Sequence, residues 1–219
     1  MDTLTRPPGD TTTGARFRPV VVTAHMDTAV VGLDTHPPHL DAPASWGAYQ
    51  AHRAAHGVDA LPPMADEHAV DFDLPLATWE RDGVWGWCCS RAHYEPLGYT
   101  TVDVRRRPET DVMARMSSDR KHHLSAGPMK ARDTPHPATL VAEVVWYALA
   151  DPAPLRDLLD RVWALGRFGR HGHGRIARWD IAEHHDRDAW TDRVFPDPEG
   201  RVQGIRAPYH HRMRQVPAC

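Results

Sequence analysis

The sequence lacks the features that would place it in a membrane or a secretory pathway. No uninterrupted apolar run approaches the roughly twenty residues of a spanning helix, and mean hydropathy is −0.55. Met1 to Pro8 contains no apolar segment of the kind a secretory signal needs. Cysteine is scarce: three in 219 residues, with Cys88 and Cys89 adjacent. That excludes a disulfide framework and points to a reduced, cytoplasmic protein. Lysine is nearly missing, with two among 26 basic residues. A formal net charge of −3 excludes a uniformly basic nucleic-acid binder.

What is present is segregated. Residues 57–82 hold Asp59, Asp66, Glu67, Asp71, Asp73, Glu80 and Asp82 against Arg81 alone. Residues 105–132 hold Arg105, Arg106, Arg107, Arg115, Arg120, Lys121, Lys130 and Arg132 against Glu109, Asp111 and Asp119. Arg201, Arg206, Arg212 and Arg214 close the chain with no acid among them. Guanidinium groups fork onto phosphate and stack on bases as ammonium groups cannot. Apolar residues make up 41% of the chain, enough for a packed core.

Periodicity gives an order of elements. Residues 1–16 are polar and Thr/Pro-rich and read as a loose arm. Pro19 to Met26 is a β-branched run of strand length. A helix is expected over Ala44 to His56, with Ser45 as N-cap and Gly57 as its stop. Residues 57–75 read as loop. Val84 to Ser90 reads as a strand after an Asp82-Gly83 turn. Tyr99 to Val104 suits one strand of a ribbon within a long basic insertion at about 91–137. Ala138 to Leu149 reads as one long strand, and Pro154 to Gly166 as a helix with Leu155, Leu158, Leu159, Val162 and Trp163 on one stripe. Ile176 to Ala182 is the last strand, with Ala177, Trp179 and Ile181 on one face. The order is βαββαβ, so the expected fold class is α+β, ferredoxin-like (RRM-like), with the insertion between the second and third strands. Such a sheet has one face free to stack bases.

Two segments carry chemistry. Gly166 to Arg175 has four glycines in ten residues. Gly169, Gly172 and Gly174 allow close backbone approach to a ligand, and successive amides can cradle an anion. Arg167, Arg170 and Arg175 add charge, Phe168 or His171 can stack on a base, and His173 lies between the inner glycines. It is no Walker loop, because Gly-Lys-Ser/Thr is missing. The bland alternative is a flexible connection with solvated arginines. In the insertion, Arg105-Arg106-Arg107 and Arg120-Lys121-His122-His123 form two charged knots that can grip a phosphate backbone, or equally a solvated charge run. His122 or His123 can also be imagined as general acid–base in RNA cleavage. His pairs at 122–123, 171/173, 184–185 and 210–211 invite a metal, but no Cys or acid completes a zinc spacing, so no metal or cofactor is expected. Cys88, Cys89 and the tryptophans at 85, 87, 146, 163 and 179 read mostly as packing residues.

The strand and hinge Val22-Thr23-Ala24-His25-Met26-Asp27-Thr28-Ala29-Val30-Val31-Gly32, the stretch Leu74-Pro75-Leu76-Ala77, and Gly169-Arg170-His171-Gly172-His173-Gly174-Arg175-Ile176 together resemble the RAMP superfamily of CRISPR-associated proteins. The likeness is to the Cas-five-like subunit of class 1 effector complexes, the type IV form above all. It covers roughly residues 18–185, leaving 186–219 as a basic tail. The resemblance implies a non-catalytic subunit that holds the 5′ handle of the guide RNA with its glycine-rich loop and caps the backbone filament. It also implies a thumb at 99–132 that reaches over the guide. The implied partners are guide RNA, a Cas-seven-like backbone subunit, the large subunit and, indirectly, target DNA, with no membrane. The rivals are a guide-processing endoribonuclease of the same superfamily and a stand-alone RNA-binding protein.

Overall fold

The computed structural model describes residues 16–35, 37–57, 69–106 and 132–219. The chain is α+β. Strand β1, Arg18–Met26, is central to an antiparallel three-stranded sheet, with β7, Glu143–Ala150, on one side and β8, Ile176–Glu183, on the other. Alternation along β1 sends Val20, Val22 and Ala24 into the core. There they meet Val144, Trp146 and Ala148 of β7 and Trp179 of β8. Trp146 is fully buried, and its indole N–H donates to the Pro38 carbonyl at 2.8 Å. Each such large apolar side chain contributes about 1.5–3 kcal/mol by burial.

Two helices cover this inner face. Helix α1, Asp41–His56, begins three residues before the expected start. Pro43 lies in its first turn, where the missing N–H costs nothing, so the N-cap is Leu40 and not Ser45. Gly57 does end it, its N–H bonding the Arg53 carbonyl. Helix α2, Pro152–Leu159, is shorter than the apolar stripe suggests. Asp160 caps it, and Val162 and Trp163 lie beyond in a turn. The helices pack closely because Gly47 faces α2, where a Cβ would collide with the Leu158 carbonyl.

The run 138–149 is not one strand. Ala142 divides it into β6, Arg132–Val141, and β7, which belong to different sheets. Strand β6 pairs along its length with β5, Pro96–Arg106, in a ribbon running from Pro96 opposite Val141 to Arg106 opposite Arg132. On its other edge β6 pairs with β2, Val30–Val31. The ribbon therefore rises from the insertion's two ends. The strand expected at 84–90 is regular only as β4, Val84–Trp87, which forms a hairpin with β3, Thr78–Arg81, through a turn at Asp82 and Gly83. The chain then follows the outer edge of β7 through isolated bridges, Cys89 with Ala148 and His93 with Val145. Along β8 a bulge at the pairing of His25 and Met26 shifts the faces: Ile176 and Trp179 are buried while Ala177 is exposed.

Residues 186–219 include a hairpin of β9, Pro196–Gly204, and β10, Gln215–Ala218. Arg193, Arg206 and Arg214 are buried. Arg193 donates to the carbonyls of Trp87, Cys89 and Ile205. Arg206 and Arg214 share Asp71 at 3.4 and 2.7 Å, and Arg206 lies 3.9 Å from the Trp85 ring centre. Asp41, fully buried at the start of α1, accepts from the Tyr209 hydroxyl at 2.5 Å and the Ala207 N–H at 2.9 Å. His39 stacks on Tyr209, and burial, with Arg193 and Arg91 nearby, holds its pKa well below the usual imidazole value.

Candidate nucleic-acid interface

The glycine-rich segment is bound to the fold along most of its length. Arg167 N–H bonds the Val31 carbonyl, so this residue extends the edge of the β2–β6–β5 sheet. Gly174 N–H bonds the Ala29 carbonyl at 2.8 Å, and Leu165 N–H bonds the Gly174 carbonyl at 2.8 Å. Thr28 pins the far end: its hydroxyl donates to the Gly172 carbonyl and accepts the Arg175 N–H. Between these anchors Gly169–His171 makes one tight turn, entered by Phe168 with φ 65° and left by Gly172 with φ 88°. Gly174, at φ 66°, is buried, and a Cβ there would strike the Leu165 carbonyl. Glycine is required at that position.

The loop therefore presents fixed cations. Arg167, Arg170 and Arg175 are all exposed. Arg170 donates to His171 Nε2 at 3.2 Å, and Arg175 lies 3.7 Å from Asp27. Among the described residues Arg167 and Arg170 face no carboxylate. Exposed guanidinium groups without acid partners have their donors free for an anion. Phe168 is not free to stack. It is half-buried against Val31, Val102 and Ala138, with its ring 4.7 Å from that of His136. It fastens the loop to the ribbon. His171 is exposed and His173 half-buried.

Sequence-distant segments thus lie in one cross-strand row, loop residue Arg167, then Val31, Ala138 and Thr100 in successive strands, with Val31 and Ala138 buried. On the ribbon Arg105 is engaged with Asp133 by two bonds of 2.9 and 3.2 Å, which raise its pKa from the ordinary value. Arg106 ends β5. Arg107, Arg120, Lys121, His122 and His123 lie outside the described residues. The outer face of the β7–β1–β8 sheet is no bare stacking platform. The rings of His93 and His184 flank Tyr147, and Trp190 and Phe195 pack with Leu149. At its other end His25 sits between Glu143 at 3.0 Å and Asp180 at 2.7 Å, with Arg178 alongside. The His25 hydrogen bond, with Arg178, lowers the Asp180 pKa. No group of three or more metal-ligating side chains is gathered among the described residues.

Sequence reasoning missed two parts of this site. Thr28 was given no role within the hinge run 22–32, and only the three-dimensional path shows that it ties loop to hinge. Trp163, read as core from helical spacing, is 54% exposed because α2 ends before it.

Residues 18–219 match the family described as CRISPR type IV associated protein Csf3. The chain belongs to the Csf3 family. It is a type IV CRISPR-associated, RAMP-like defence subunit, as the glycine loop and hinge suggested. The match runs through residues 186–219, so the family's extent includes the hairpin that carries Arg206, Tyr209 and Arg214. No curated protein matches the chain. No helix among the described residues is long and apolar enough to cross a membrane.

Proposed function

We propose that this Csf3-family subunit binds the 5′ handle of the guide RNA and caps one end of a type IV effector filament without catalysing cleavage. The observation that carries this reading is the joining of the glycine loop to the ribbon sheet through Arg167 and Val31. It joins the loop that carries Arg167, Arg170, His171, His173 and Arg175 to the ribbon sheet, and these residues supply the proposed contacts to the handle. The ribbon β5–β6 is the base of a thumb, and Arg105, Arg106, Arg107, Arg120 and Lys121 are the residues we assign to hold the guide backbone or a Cas-seven-like neighbour. The large subunit and, indirectly, target DNA are the further partners. The β8–β1–β7 order, with residues 88–93 along the outer edge of β7, supports a ferredoxin-like core in which that edge stands for the second strand.

Titrating a labelled handle RNA at several salt concentrations tests this. Single-strand binding weakens with a slope of roughly −0.7 per phosphate neutralised, so three or four contacts give about −2 to −3. Replacing Arg170 and Arg175 together with alanine makes the slope shallower and weakens binding, with folding intact. A flat salt response in the wild type overturns the reading. Repeat-RNA cleavage with metal chelated, by wild type and by the His122→Ala/His123→Ala double variant, tests the non-catalytic part. Site-specific cleavage that disappears in the variant would transfer the protein to the ribonucleases.

A further inference from the structure

Trp163 is an aromatic that the fold holds out to solvent beside the loop. Its neighbours fix its backbone on both sides. Val162 is buried, the Trp163 carbonyl accepts from Ile176 N–H at 2.9 Å, and Ala164 bridges to Arg175. The ring reaches Gly169: a Cβ at that glycine would lie 3.5 Å from the indole and 2.9 Å from Ala164 Cβ. Gly169 opens the turn whose next two residues are Arg170 and His171. An exposed indole, a glycine without side-chain bulk and two polar side chains able to bind or stack on nucleotides thus follow one another along one short path. Of the other exposed large apolar residues, Leu97, Tyr99 and Leu140 lie on the ribbon that Phe168 packs against, and Val202 and Met213 lie in the C-terminal segment.

We infer that Trp163 is a base-stacking platform of the loop site, taking the face of one unpaired nucleobase while Arg170 and Arg175 hold the flanking phosphates. The inference rests on the handle-binding reading and adds a contact that charge alone does not supply. An indole presents a flat π-face to any base, so the contact is tolerant of sequence. Its strength, about 1–3 kcal/mol per stacked base, corresponds to roughly 5- to 150-fold in affinity.

The test uses the full-length protein and a short single-stranded RNA carrying the repeat-derived handle, together with RNAs bearing one abasic nucleotide at each handle position in turn. Trp163→Ala is expected to lower affinity by roughly 5- to 150-fold without changing the salt slope, whereas the arginine substitutions change the slope. Trp163→Phe should recover most of the loss. One abasic position should cost the wild type affinity and cost Trp163→Ala little. Trp163→Phe, with circular dichroism of both variants, guards against a folding defect. Salt-dependent wild-type binding that Trp163→Ala leaves unchanged, or equal abasic penalties in both proteins at every position, overturns the stacking role and leaves the handle reading intact. Absence of wild-type binding overturns both.

Discussion

Gly172 and Gly174 show how one backbone angle acquires different consequences two residues apart. Both have positive φ, at 88° and 66°. Nothing lies within 4 Å of a Cβ at Gly172, whereas Gly174 faces the Leu165 carbonyl. Gly172→Ala is therefore expected to cost only the left-handed strain, about 1 kcal/mol. Gly174→Ala adds a collision with backbone that is itself hydrogen-bonded, and about 2–3 kcal/mol is expected. Denaturant titration of the two variants reads the difference; equal losses would mean that the Gly174 contact is soft. The glycine-rich loop itself was legible from composition alone. The individual duties of its glycines were not, because these depend on Leu165, Ala29 and Val31, whose proximity is a product of folding.

At the scale of elements, β1 and β8 lie where the sequence put strands, although the bulge at His25 and Met26 overturns the expected alternation along β8. The errors have physical causes. Residues 138–149 are mostly apolar, broken by Thr139 and Glu143, because the end of β6 and most of β7 are buried, so hydrophobicity alone did not mark the change of sheet at Ala142. Helix α2 stops at Leu159 although Val162 and Trp163 continue its spacing, because the chain must turn there to pair Ala164 with Arg175. The start of α1 was obscured by Pro43. That start is held by groups from the chain's far end: His39 stacks on Tyr209, and its Nε2 lies 3.5 Å from Val194 N–H as acceptor. Because its native pKa is lowered, the unfolded chain binds the extra proton as pH falls below about 6.5. Stability is full above that value and declines below it. A His39→Phe variant should lose less stability between roughly pH 7 and pH 5 than the wild type. Parallel pH dependences in urea unfolding would refute the assignment.

At the scale of the molecule, the C-terminal hairpin is part of the core. Truncation after Phe195 removes Ala207 and Tyr209 from Asp41 and both basic partners from Asp71. Stranding one buried charge costs about 3–5 kcal/mol, and whole domains have about 5–15. The truncated chain is expected to lose cooperative thermal unfolding; a sharp calorimetric transition would show that residues 18–195 stand alone. Composition could not foretell this, since a run of arginines reads the same whether solvated or capping carbonyls. The two sheets are connected twice, by residues 27–29 after β1 and by Ala142 before β7, and Met26 N–H bonds the Ala142 carbonyl at 2.8 Å across that double crossing. The ribbon is consequently a lever clamped at its fulcrum. Swivelling it would stretch that bond and the one between Gly174 and Ala29. On the proposed reading, seating a neighbour on the ribbon and seating RNA in the loop would draw on the same few hydrogen bonds.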